Sequence, residues 1–225
     1  MSDLQPTPHT TLRRLPARGH FDRATVNAIL DEALVCHVGF VSDGQPFVIP
    51  TIHARVDDHV FVHGSEASRM LKTLQGGVSV CLTATLVDGL VLARSAFHHS
   101  MNYRSVVVLG DAQAVTDERE KWDALHAIVE HVAPGRWKEV REPNAKELAG
   151  TLVLRLPIGE ASAKVRTGPP LDDEEDYALE CWAGVLPLRL VPGAPEPDPR
   201  MSAGRPLPAS VAGYARPRTT NDRRG

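Results

Sequence analysis

The spacing of apolar residues changes period several times along the chain, and each change marks an element. Residues 1–20 are polar and proline-containing with no period, which predicts an extended arm. Residues 21–34 repeat at the helical period. Val26, Ile29, Leu30 and Ala33 share one face, and Asp22 is placed to cap it. The period then falls to two. Residues 35–41 and 47–53 read as strands joined at Asp43-Gly44, a strong hairpin signal, and Asp57-Asp58 turns the chain into a third strand at 60–63. A short helix is predicted over 66–75, capped by Ser65 and stopped by Gly76-Gly77. Strands follow at 78–86 and 90–93, joined at Asp88-Gly89, and a valine-rich one at 105–115. Asp117 and Glu120 have capping-box spacing before a longer helix, whose buried stripe reads Trp122, Leu125, Val129 and Val132 and which Pro134-Gly135 ends. The pattern continues with a helical turn at 144–148, strands at 151–156 and 161–165, and an acidic loop at 172–176 expected to be solvated. An edge strand at 182–190, interrupted by Pro187, closes it.

Short strands in hairpin order, with helices inserted singly, predict a mainly β protein built as a closed or partly closed antiparallel barrel over residues 21–191. The arm at 1–20 precedes it. Residues 192–225, rich in Pro, Ala and Arg, have little to bury and read as a disordered tail. No GxGxxG follows a strand, no GxxxxGK[ST] occurs, and no internal repeat is visible.

Composition narrows the class. The 225 residues, 42% hydrophobic, suffice for one sizeable core or two modest domains. A net charge of -3 argues against a nucleic-acid binder, and the arginine pairs Arg13-Arg14 and Arg223-Arg224 read as solvated ends. Cys36, Cys81 and Cys181 form no CxxC pair and none stands out as a nucleophile. An odd count without an apolar leader predicts a reduced, cytoplasmic setting. No apolar run approaches the roughly 20 residues that a membrane-spanning helix needs.

Three segments carry candidate chemistry. In residues 62–70 a strand ends, Gly64 lets a ligand approach the backbone, and a helix opens with Ser65, Ser68 and Arg69 near its unpaired N–H groups. That is a phosphate-type locus, or else an ordinary cap with a surface arginine. Residues 97–105 gather His98, His99, Asn102, Tyr103 and Arg104. Neighbours along a strand point to opposite faces, so the two histidines do not converge on one metal, and a polar loop meeting a ligand or second subunit fits better. In residues 48–55 Pro50 removes one ladder donor, and His53 and Arg55 alternate onto one face. A lone histidine there is more often structural than catalytic.

These segments, in this order, resemble the pyridoxamine 5′-phosphate oxidase-like family of FMN-binding split barrels, nearest its nitroimidazole-resistance-type branch. The likeness starts at Phe21-Asp22-Arg23 and runs through Pro50-Thr51-Ile52-His53, His63-Gly64-Ser65 with Ser68-Arg69, and residues 88–94. It continues through residues 98–106 and reaches Ala163-Lys164-Val165-Arg166 and Trp182-Ala183-Gly184. The resemblance implies a six-stranded split β-barrel and a homodimer holding FMN at the subunit interface. It implies that His63, Gly64, Ser65, Ser68 and Arg69 hold the phosphate, and that Pro50, Thr51, Ile52 and His53 line the ring. Asn102, Tyr103, Arg104 and Ser105 then approach from the partner chain, and Lys164, Arg166 and Trp182 lie beside the ring. The implied activity is an FMN-dependent oxidoreductase passing electrons from a nicotinamide donor to a small nitro or quinone-type acceptor, with His53 as the catalytic candidate. Trp182-Ala183-Gly184-Val185 replaces the C-terminal Arg and His motif of the vitamin B6 oxidases, which argues against that reaction. Three alternatives remain: a flavin carrier or sensor without turnover, a haem-binding split barrel using His98 or His99, and a deazaflavin F420 binder.

Overall fold

The computed structural model describes residues 2–202 and 204–215. Strand β1 (Gly19–His20) leads to α1 (Arg23–Glu32), where the Asp22 carboxylate accepts the Thr25 N–H at 2.8 Å, the cap expected. The hairpin of β2 (Val35–Ser42) and β3 (Gln45–Ile52) turns at Asp43 and Gly44, with φ of 51° and 77°. Both residues are left-handed, as the tight turn that matches strand twist requires. A second hairpin joins β4 (Ala54–Val56) to β5 (His59–Ser65), and α2 (Arg69–Leu74) follows.

Next comes β6 (Ser79–Leu92), one strand where two were expected. The Asp88-Gly89 pair is no turn. It is a bulge, with the register shifting between Val87 and Gly89. The glycine is needed because a Cβ there would lie 3.0 Å from the Leu186 carbonyl oxygen on a neighbouring strand. Strands β7 (Ser100–Asp111) and β8 (Gln113–Ala114), then α3 (Glu118–Val132), α4 (Ala145–Ala149), β9 (Thr151–Pro157), β10 (Glu160–Arg166), β11 (Gly184–Pro187) and α5 (Ala209–Ala212) complete the described chain.

The strands form two antiparallel sheets. One has seven strands, in the order β1-β10-β7-β6-β2-β3 with β11 on β6, and the other has four, in the order β4-β5-β9-β8. The expected six-stranded barrel is therefore corrected to two open sheets. Two strands pass between them, β3 into β4 across His53 and β7 into β8 across Ala112. Between the sheets lies the main core, with Val38, Phe40, Leu82 and Val106 facing Val60, Val62 and Leu154, sealed by α1 and α2. The four-stranded sheet is covered on its other side as well. Ala54, Phe61 and Val153 meet Ala124, Leu125 and Ile128 of α3. That stripe is rotated from the expected one. Trp122 instead packs edge-on against Trp137, ring centroids 5.5 Å apart.

The flanking segments are docked. Leu4 is buried and its N–H donates to the Phe21 carbonyl at 3.0 Å. In the tail the Tyr214 hydroxyl donates to the Val132 carbonyl at 3.0 Å, and the Ser210 N–H to Glu139 at 3.1 Å. The tail's anchors are polar, so an apolar pattern could not announce them. The terminal Arg223-Arg224 pair lies outside the described residues. Among the described residues no helix is long and apolar enough to cross a membrane.

Leu154 is 1% exposed and touches both sheets' core. Leu154→Ala should lower unfolding free energy by about 3 kcal/mol through lost burial plus a cavity, read as a reduced urea midpoint with unchanged slope.

Candidate functional site

The expected site residues fall into separate places, and strand alternation decides which. On β5, Val60 and Val62 point into the main core and Phe61 toward α3. His63, two residues beyond Phe61, therefore faces α3, while Gly64 faces α2, where a Cβ would meet Leu71 Cδ1 at 3.1 Å. Gly64 thus lets α2 approach. The helix also opens later than expected. Ser68 is its cap, accepting the Leu71 N–H at 3.5 Å, and Ser65 only closes the preceding turn by accepting from Ala67 N at 3.1 Å. Arg69 is exposed and lies over the Phe47 ring, 5.5 Å from its centroid.

His53 is fully buried at the passage from β3 to β4. Its Nε2 lies 3.0 Å from the Leu30 carbonyl, and its ring packs 5.1 Å from that of His131, whose own Nε2 reaches the Ala33 carbonyl at 2.8 Å. The pair ties the end of α1 to the end of α3. In the monomer this seals His53 from any surface ligand. Pro50, Thr51 and Ile52 lie on β3, the sheet edge, where Pro50 removes no needed donor; the Thr51 hydroxyl donates to the Ile52 carbonyl at 3.3 Å.

Arg104 is engaged within its own chain. Its guanidinium makes bidentate contacts with Glu32 of α1, at 2.5 and 2.8 Å, and with Asp88 of the β6 bulge, at 2.7 and 2.9 Å. Hydrogen bonds to Glu32, then Asp88, raise its pKa. Within the chain, this guanidinium holds α1 on the bulge.

Arg166 is different. It is 6% exposed, and it donates to the Asn102 side-chain oxygen and to the Gly168 and Pro169 carbonyls, both at 3.3 Å; Asn102 in turn donates to Gly168 at 3.1 Å. Its Nε is buried without a partner, and among the described residues no carboxylate pairs with it. Burial, then the nearby Arg18 charge, push its pKa down, against Tyr103. A buried cation without an anion is costly, and the site fits an anionic ligand. Tyr103 is register partner to Arg166, and Ser105 to Lys164; the Ser105 hydroxyl donates to the Lys164 carbonyl at 3.4 Å. Trp182 is 68% exposed and lies across Gly184.

Other features were hidden from the sequence. The acidic loop is not wholly solvated: the Asp172 side chain is fully buried, paired with Arg94 at 3.1 Å. His98 meets Asp173 and Asp176 across 75 and 78 residues of chain, one ligand atom from each within 4.8 Å of the others. His99 Nδ1 lies 3.0 Å from the Ser95 carbonyl. Burial pushes the Cys36 thiol up to about 12, which makes it inert. A cavity of about 400 Å³ opens between β5, β9, α3 and α4, walled by His63, Leu125, Ile128, Val129, Trp137 and Val140. Burial lowers the His63 pKa and keeps the ring neutral, and its Nδ1 is buried without a partner.

Two antiparallel sheets sharing one core, with α3 on the outside of the smaller sheet, define a mainly β protein of the split-barrel class. Residues 22–165 match the family profile described as pyridoxamine 5′-phosphate oxidase, and the chain belongs to that family. It is similar to the flavocytochrome Anf3 from Azotobacter vinelandii, at 45% identity over 95% of this chain and 100% of that one, with a TM-score of 0.88. It is also similar to an FAD and heme binding protein from Mycobacterium smegmatis, at 38% identity over 88% and 98%, with a TM-score of 0.85. A Bacteroides thetaiotaomicron protein named for 5-nitroimidazole antibiotic resistance matches at 24% identity over 65% and 86%, with a TM-score of 0.54, a likeness of fold alone. No curated protein matches.

Arg104→Met should destabilise the fold by about 3 kcal/mol, because it leaves Glu32 and Asp88 without their cation. Chemical denaturation measures this, and the double change Arg104→Met with Glu32→Gln should recover part of the loss.

Proposed function

We propose that this chain is a flavin-binding protein that also carries haem. The geometric observation behind this reading is Arg166, a buried guanidinium whose partners among the described residues are neutral oxygens. Flavins are anionic through their phosphates, and the reduced ring carries negative charge at one edge that a nearby cation stabilises. Tyr103 is the register partner of Arg166 and Lys164 lies two residues before it on β10, with Ser68 at the start of α2 and Arg69 over Phe47 of β3 available for phosphate. The near-full-length likeness to a flavocytochrome and to an FAD and heme binding protein supports FAD over FMN, and supports haem as the second group.

The flavin, when bound, supplies electron or hydride transfer. The chain's residues bind and orient it: Arg166 faces its negative charge and Trp182 offers an aromatic face that excludes water. Electron entry from a reduced nicotinamide, with a small nitro or quinone-type acceptor, is the oxidoreductase form of this reading. The burial of His53 favours a second form, a binder that passes electrons without an acid–base residue of its own.

Assembly as a homodimer completes the proposal. Strand pairing puts Val35, Val41, Val48 and Ile52 on the outward face of the seven-stranded sheet. Val48 is 65% exposed and Val41 55%, an apolar patch of the kind a second copy covers.

Purified protein should show a two-band flavin spectrum, and mass spectrometry of the released cofactor should find FAD. Arg166→Met should weaken flavin binding by at least about 30-fold, the equivalent of losing about 2 kcal/mol from a buried charge contact; full retention would remove Arg166 from the site. Stopped-flow mixing with NADH or NADPH distinguishes the two forms, since only the nicotinamide-linked oxidoreductase bleaches the flavin rapidly.

Light scattering should give twice the chain mass, and Val48→Lys should shift it to the monomer; a monomeric wild type would end the dimer proposal.

A further inference from the structure

His63 has no structural purpose visible in the fold. It sits on the apolar face of β5, beside Phe61 and opposite Val153, where an aliphatic side chain would pack without cost. Its Nδ1 is nonetheless buried with no hydrogen-bond partner. That nitrogen is closed off from the cavity, so a ligand there would meet the ring at its other nitrogen, Nε2. The ring also forms part of the wall of the cavity of about 400 Å³, a volume within the usual range for small-molecule sites.

The chemistry of the walls selects the ligand. Leu125, Ile128, Val129 and Val140 are aliphatic, and Trp137 adds a flat aromatic surface held edge-on by Trp122 and His126, at 5.5 and 5.0 Å. A bare transition metal would need three or four protein donors. Here a single imidazole is available, since Glu147 at the rim is clamped by Arg141 at 2.5 and 2.7 Å and held down to about 2. A flavin has no use for an imidazole on an apolar wall. A metal that brings its own four in-plane nitrogens needs one axial donor, apolar walls and a charged rim.

We infer that the cavity beneath α3 is a haem site, with the His63 imidazole as axial ligand to the iron. This rests on the haem half of the proposed function and adds where the group binds and through which atom type. It separates the haem, on the α3 side of the four-stranded sheet, from Arg166 on β10 of the other sheet. The rim cation of Arg141, shared with Glu147, is placed for a porphyrin's propionates.

The test loads the full-length protein with hemin and reads haem and flavin separately. Wild type should give a sharp Soret band, and resonance Raman of the ferrous form an iron–histidine stretch. His63→Ala should weaken hemin binding by well over about tenfold, since losing even an outer partner of a metal ligand costs that much. Its flavin content should be unchanged, and added imidazole should restore the Soret band. Val129→Trp, which fills the cavity and leaves His63 in place, should exclude hemin too, so the inference stays testable if His63→Ala fails to fold. Wild-type Soret and affinity in His63→Ala, or their loss in His98→Ala instead, would overturn the assignment while leaving haem binding intact. A wild type that takes up flavin but no hemin would overturn both this site and the haem half of the proposed function.

Discussion

The four-stranded sheet is buried on both faces, and that constraint organises the molecule. Its inner face contributes Val60, Val62 and Leu154 to the core between the sheets, and its outer face gives Phe61 and Val153 to α3. A strand with two dry faces cannot display side chains to solvent along its length. Any polar residue on it must be bonded, or must face something other than water. His63 is that residue. Its neighbour Gly64 faces the opposite way and is filled by Leu71.

The same constraint explains the joints. For β3 and β7 to leave one sheet and enter the other, the chain must bend where both layers meet. His53 occupies one bend, fastened to the Leu30 carbonyl and packed at a tilt against His131. The Arg104 guanidinium, shared by Glu32 and Asp88, fixes α1 against the bulge in β6. Two positions that chemistry would nominate for catalysis or binding, His53 and Arg104, thus serve to hold helices onto sheets. Arg166 is the exception. Among the described residues no carboxylate answers it, and its partners are the neutral oxygens of Asn102, Gly168 and Pro169.

Much of the architecture was legible in advance. Asp22 and Asp117 cap the helices they were expected to cap, and Asp43-Gly44 makes its turn, because caps and turns are decided by a few adjacent residues. The errors share one cause. Asp88-Gly89 looks like a turn, yet the glycine is there for β11, almost a hundred residues later. The α3 stripe was misjudged by one position because Trp122 pairs with Trp137 instead of the sheet. Asp172 reads as a solvated charge until Arg94 is beside it. The docked tail escaped notice because its anchors are a hydroxyl and a serine, not apolar residues.

The sequence by itself determined the class: a mainly β chain with single helices, whose order of motifs places it in the pyridoxamine 5′-phosphate oxidase family. Only the tertiary structure decided which way each polar residue faces. Side-chain direction in a strand depends on register and on what covers each face, and those are set by contacts between distant segments. That is why residues 63–69 divide: His63 goes to the cavity under α3, Gly64 and Ser68 to α2, and Arg69 to the Phe47 ring on β3.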